Sequence, residues 1–149
     1  MIKDNNIEYL EHMTDAYLRC KGKTLQESFQ YAAVGLVNIM YDTNNTEKKK
    51  KVSISAEGFD LENLLFDWLD KILLLLLIDK IILIEFNVID IYFNKQLNKY
   101  IIEGYGEGDS IDLKKHELKV EIKGITYHEM KIFKDENKNE FVIEYIVDL

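Results

Sequence analysis

Twice along this chain an apolar repeat of helical period interrupts stretches in which apolar residues alternate one by one. Few folds accommodate that switch. In "TLQESFQYAAVGLVNIMYD" Thr24 and Glu27 form a capping box, and Leu25, Phe29, Ala32, Ala33, Leu36 and Met40 follow at helical spacing. In "FDLENLLFDWLDKIL" Asp60 is a helix N-cap, and Leu61, Leu64, Leu65, Trp68, Leu69 and Ile72 share one face. The remaining segments read as strands. They are Ile7 to Leu10 and Ala16 to Cys20 around a loop at Thr14 and Asp15, then "VSISA", "IILIEFNVIDIYF", "LNKYIIEGYGEG", "HELKVEIKGITYHEMKIF" and "EFVIEYIVDL". The fifth dissolves into a loop at Gly104, Gly106 and Gly108, and the polar turn "KDENKN" joins the last two. Two amphipathic helices among about seven strands predict a single α+β domain over residues 1–149, its helices packed on one face of a mixed sheet. No internal repeat is detected.

Composition narrows the function classes. A chain of 149 residues buries roughly 68–70% of its unfolded surface, and 47% hydrophobic with 31% charged residues argues against disorder. The net charge of −8 disfavours direct, tight nucleic-acid binding. The one dense basic run, "EKKKKV" at Glu47 to Val52, reads as a solvated loop or strand flank. With Cys20 as the single cysteine no intramolecular disulfide can form, which suits a reducing compartment, and Cys20 itself reads as core filler. The start, "MIKDNNIEYLEHM", lacks the apolar run of a secretory signal. "ILLLLLI", Ile72 to Ile78, is charge-flanked and far short of the ~20 residues a spanning helix needs. It reads as the buried end of a core helix, so the expectation is a cytoplasmic protein, with the nucleus as alternative, and no membrane contact.

Taken singly, the polar residues say little. Gly104, Gly106 and Gly108 lack the spacing and the Lys-Ser/Thr of a phosphate-binding loop. His12, His116 and His128 lack the close spacing of a transition-metal site, so each reads as structural or superficial. Lys123 should face away from Leu118, Val120 and Ile122, as a solvent-side lysine does. By spacing alone Asp15 is a turn or cap residue and Asp148 a solvated chain end.

Together they say more. "YLEHMTDAYLRCKGKTLQESFQYAA", "HELKVEIKGITYHEM" and "VIEYIVDL" occur in an order that resembles the archease family, small proteins that activate the RtcB-type tRNA-splicing RNA ligase. The family's His-Thr-Ala-Asp corresponds to His12, Met13, Thr14 and Asp15. Its Thr-Leu-Glu-Glu-Ala-Phe helix start corresponds to "TLQESF", and its terminal Val-Ile-x-Asp-Ile ends at Asp148 and Leu149. "LENLLFDWLDKIL" is similar to its second helix, and the resemblance spans roughly residues 7 to 149. Two departures stand out: Met13-Thr14 replaces Thr-Ala, and Gly124 replaces an alanine after Lys123.

The resemblance implies a divalent cation, calcium with magnesium or manganese as alternatives, held by Asp15, Asp148 and Leu149. It also implies a lysine needed for activity at Lys123, and it draws attention to His12, three residues before Asp15. The implied function is non-catalytic. The protein would dock on the ligase, alone or within a tRNA ligase complex, and promote its guanylylation and multiple turnover. The chemistry stands on its own terms, because hard cations take carboxylate and carbonyl oxygens. Two carboxylates about 4 Å apart repel by about 4 kcal/mol at an effective dielectric near 20, which a metal or a proton must relieve. The alternatives are a metal-dependent hydrolase or nuclease using Asp15, Asp148, His12 and a bound water, and a chaperone-like binding module. No nucleophile paired to a base supports the hydrolase.

Overall fold

The computed structural model describes residues 6–10 and 15–149. Its elements run β1 (Ile7–Leu10), β2 (Asp15–Gly22), α1 (Leu25–Met40), β3 (Lys50–Gly58), α2 (Leu61–Leu74), a π-helical turn (Leu75–Asp79), β4 (Ile81–Asn94), β5 (Lys99–Ser110), β6 (Gly124–Asp135) and β7 (Glu140–Asp148). The α+β class holds, with seven strands and two α-helices among the described residues. The single mixed sheet does not. The strands form a four-stranded sheet in the order β1-β2-β7-β6 and a three-stranded sheet in the order β3-β5-β4, and every pairing is antiparallel. Alternation of apolar residues reveals which face of a strand is buried but not which strand lies beside it.

Both helices start as their sequences dictate. The Thr24 hydroxyl accepts from the Glu27 N–H at 3.0 Å, and the Glu27 carboxylate accepts from the Lys23 N–H at 3.3 Å. Asp60 accepts from the Asn63 N–H at 2.7 Å. Each cap lies two residues after a strand-ending glycine that packs on the first helical turn. A Cβ at Gly22 would lie 2.5 Å from the Ser28 nitrogen, and one at Gly58 2.6 Å from the Asn63 carbonyl carbon. The tight joint fixes the angle at which each helix leaves its strand.

The apolar stripes of the helices meet both sheets, so α1 and α2 join the sheets rather than cover one of them. Phe29, Ala33 and Leu36 of α1 and Leu64, Trp68 and Leu69 of α2 share one core with Leu18, Ile143, Ile54 and Ile102. Two buried polar groups are satisfied on α1 carbonyls: Trp68 Nε1 donates to Phe29 at 3.1 Å, and the Tyr145 hydroxyl to Ala32 at 2.7 Å. Cys20 is buried in this core, as expected.

Three local expectations change. Gly104, Gly106 and Gly108 lie within β5, not in a loop. They face β4 where its register shifts at Leu83/Glu85 and Val88/Asp90, and that irregular backbone, with the Leu83 side chain, fills the space a side chain would need. "HELKVEIK" is a connection rather than a strand, because its backbone bonds to the exit of α1. Lys119 N–H donates to Met40 at 2.8 Å, Asp42 N–H donates to Glu117 at 2.9 Å, and Tyr41 bridges Leu118. Within "ILLLLLI" only Ile72, Leu73 and Leu76 are fully buried: Leu74 follows the exposed Lys71 by three residues on the outer face of α2, and Ile78 lies on the π-helical turn, exposed. Among the described residues no helix is long and apolar enough to cross a membrane.

Candidate functional site

The site follows from the ladder of the four-stranded sheet. β7 lies between β2 and β6, and its residue Asp148 is opposite Asp15 on one side and Gly124 on the other. The N–H of Lys123 donates to the Asp148 carbonyl at 2.7 Å. Asp15, Asp148 and Lys123, distant in sequence, thus meet across three adjacent strands at one end of the sheet. Residues directly opposite in an antiparallel ladder have Cα atoms about 4.5–5.5 Å apart and project to the same face.

That face is the one turned away from α1. Leu18, Cys20, Ile143, Tyr145 and Val147 point to the helical core. By the two-residue period of a strand, Asp15, Tyr17 and Arg19 share the other face with Glu144, Ile146 and Asp148. Asp15 and Leu149 are half-buried, Asp148 and Lys123 exposed. Ile122 is buried beside the exposed Lys123, whereas Leu118 is exposed, because this segment is a connection and follows no strand alternation.

Of the histidines, His12 lies outside the described residues, as do Met13 and Thr14. His116 is buried in the connection before β6, where its Nδ1 accepts from the Asp112 N–H at 2.9 Å, leaving the proton of the neutral ring on Nε2. His128 is exposed on β6. Among the described residues no three His, Cys, Asp or Glu side chains gather into one cluster. The facing pair Asp15 and Asp148, with the backbone oxygens of Leu149, offers hard oxygen donors, and such a set suits a hard cation rather than a thiophilic one.

One group on this face was missed in the sequence. Glu144 is 6% exposed, on the face that it shares with the buried Ile146. Arg19 Nε donates to one carboxylate oxygen at 2.6 Å and the Tyr17 hydroxyl to the other at 3.1 Å. Arg19 also reaches Glu8 at 3.6 Å, and Lys21 reaches the same carboxylate at 3.2 Å. Burial, then the hydrogen bond and charge of Glu144, then the charge of Glu129, raise the Tyr17 pKa, while Arg19 opposes them. The bond to Glu144 raises the Arg19 pKa. A signal was present: placing Asp15 opposite Asp148 in antiparallel register puts Arg19 opposite Glu144.

β6 departs from regularity beside this face. Thr126 is opposite Ile146 and Lys131 is opposite Glu144, so Tyr127 to Met130 all oppose the single residue Tyr145. The excursion is anchored. The Tyr127 ring stacks on Phe66 at 4.3 Å, its hydroxyl accepts from Asn63 Nδ2 at 2.6 Å, and the Thr126 hydroxyl accepts from the His128 N–H at 3.1 Å. A separate open cleft of about 860 Å³ lies by the end of α1, lined by Asn38, Tyr41, Thr46, Lys48 and Lys119 among others, and includes none of the acidic pair or Lys123.

Comparison with known proteins gives one consistent result. A family model described as "Archease protein family (MTH1598/TM1083)" matches residues 7–149. The chain is 35% identical to "Protein archease" of Sulfurisphaera tokodaii over 143 residues, covering 95% of this chain and 97% of that protein. It is 38% identical to "Protein archease" of Pyrococcus furiosus over 125 residues, covering 84% and 86%. It is similar in structure to Methanobacterium thermoautotrophicum protein 1598, solved in solution, with a TM-score of 0.77 at 25% identity over 97% of this chain and 99% of that one.

Proposed function

Because this chain belongs to the archease family, we propose that it is an accessory protein that activates an RtcB-type RNA ligase in tRNA splicing and joins no RNA itself. The observation that supports this most is the register that sets Asp15 against Asp148 with Lys123 alongside. In this reading Asp15, Asp148 and the backbone oxygens of Leu149 hold a divalent cation, calcium before magnesium or manganese. The cation supplies neutralisation of two facing carboxylates and a fixed geometry at the strand ends. Lys123, tied to Asp148 through its backbone, presents its ammonium to the partner's acidic or nucleotide-bearing site. His12 belongs to the same activating surface. With a net charge of −8 the chain is repelled by RNA and suited to a basic protein surface. Activation consists of promoting ligase guanylylation, and with it repeated turnover, in the cytoplasm or nucleus.

The test combines the purified chain, a cognate ligase, RNA ends, GTP and a divalent metal. The chain alone should join and cleave nothing, and with the ligase it should raise the rate. Asp15→Asn and Asp148→Asn should each lower that stimulation about tenfold or more and weaken calcium binding in calorimetry, with the thermal transition unchanged. Unaltered stimulation by both variants would refute the site, and hydrolysis by the chain alone would favour a metal-dependent hydrolase.

A further inference from the structure

From the course of β4 we infer a site of self-association: Asp90 to Asn94, at the free edge of the three-stranded sheet, pair antiparallel with the same residues of a second copy of this chain. The inference stands apart from the proposed activation of a ligase and does not depend on it.

β4 is the last strand in the order β3-β5-β4, so one of its edges meets no strand among the described residues. Its first part belongs to the core. Val88 is its last buried residue, and the Val88 N–H donates to the Gln30 side chain of α1 at 2.9 Å. Beyond Val88 the side chains remain largely apolar while burial stops: Ile89 is 68% exposed, Phe93 43% and Tyr92 37%. The bulge at Val88/Asp90 lies behind this stretch, and Asp90 to Asn94 pair in regular register with Glu103 to Lys99. Proteins blunt a free edge with proline, a bulge or charge, since its unpaired backbone groups otherwise recruit another strand. Here Asp90 is the single charged residue, and the chain has no proline.

The sequence of this edge identifies the occupant. With Tyr92 opposite its own copy, Ile91 falls opposite Phe93 and Asp90 opposite Asn94, each twice by symmetry. The rows then run across four strands. On the face turned to the core, Ile102, Ile91, the copy's Phe93 and the copy's Tyr100 make one apolar row, which prolongs the edge-to-face contact of Phe93 and Tyr100 at 5.1 Å. On the other face Glu103 and Asp90 share a row with the copy's Asn94 and Lys99. The acids of one copy thus stand toward a lysine of the other, which also meets Glu57 of its own chain at 2.9 Å. An axis at Ile91 would instead set Asp90 against Tyr92. A foreign strand would need this same sequence to match both rows.

Sedimentation equilibrium of the full chain should show a monomer–dimer equilibrium in the range of about 0.1–1 mM, as suits a small interface. Salt should favour the dimer, because it screens two chains of net charge −8. Tyr92→Lys and Phe93→Lys should each weaken the dimer about tenfold or more, with the thermal midpoint followed alongside. Tyr92→Cys tests the axis itself and needs neither variant to fold. Residues opposite in a ladder have Cα atoms about 4.5–5.5 Å apart, within disulfide reach, and the buried Cys20 does not compete. Under mild oxidation Tyr92→Cys should give a covalent dimer, whereas Leu113→Cys, 78% exposed but away from this edge, should not. A wild-type chain that stays monomeric to about 1 mM, with Tyr92→Cys cross-linking no faster than Leu113→Cys, would overturn the proposal. A dimer unchanged by both lysine variants would refute it as well, since the contact would then lie elsewhere.

Discussion

At the scale of single residues, the most consequential contact is one on which the proposed function makes no demand. Glu144 is nearly buried on the sheet face turned away from α1, where Arg19 and Tyr17 both bond to it. Removing it strands two donors, whereas a one-residue slip of β7 would turn its charge into the helical core. Glu144→Ala should therefore cost about 2 kcal/mol, below the full cost of breaking a deeply buried pair because Arg19 is 34% exposed. A urea midpoint equal to wild type would show the network to be incidental. Asp15, Asp148 and Lys123 were legible as a group only through likeness to a family, since nothing in their spacing brings them together. Arg19 and Glu144 went unread for the complementary reason. Their partnership depends on register, and register is a property of two segments.

Among the elements, the helices were the most legible and the strand partners the least. Capping residues and a 3.6-residue stripe act within one segment, so Thr24 and Asp60 marked the true starts of α1 and α2. β5 was misread as ending in a loop because glycine has the same composition signal in a turn as in a strand crowded by its neighbour. The excursion in β6 left no periodic trace at all. The joints between strand and helix make a sharper prediction. At Gly58 a methyl group would collide with the backbone of Asn63 and Leu64, which cannot rotate aside as a side chain can. Gly58→Ala should lower stability by about 2–3 kcal/mol, read as a shift in thermal midpoint. By contrast, a Cβ at Gly124 meets nothing within 4 Å, and Gly124→Ala should fall within about 0.5 kcal/mol of wild type. The departure from the family pattern at that position is thus sterically silent.

For the whole molecule, the core contains groups whose ionisation opposes folding. Burial pushes the Cys20 thiol and the Tyr145 phenol upward, with the neighbouring Cys20 and Tyr9 charges adding to the latter. A raised folded pKa means that the unfolded chain loses its proton first. The stability these groups contribute is intact below the unfolded thiol value of about 9 and declines as pH rises beyond it. The urea midpoint should stay level from pH 7 to 8, fall above about 9, and hold to about 10 in Cys20→Ala, where the phenol becomes the first to titrate. A level midpoint through pH 10.5 would mean that the interior admits these charges. The place of β7 has a further consequence, for synthesis. β7 is made after β2 and β6, both of which pair with it, so while a ribosome extends the chain the β1–β2 pair must wait with its apolar side uncovered. The contiguous stretch from β3 to β5 can assemble meanwhile. Substitutions that slow translation or folding should therefore expose the nascent N-terminal hairpin, rather than the three-stranded sheet, to proteases and to aggregation.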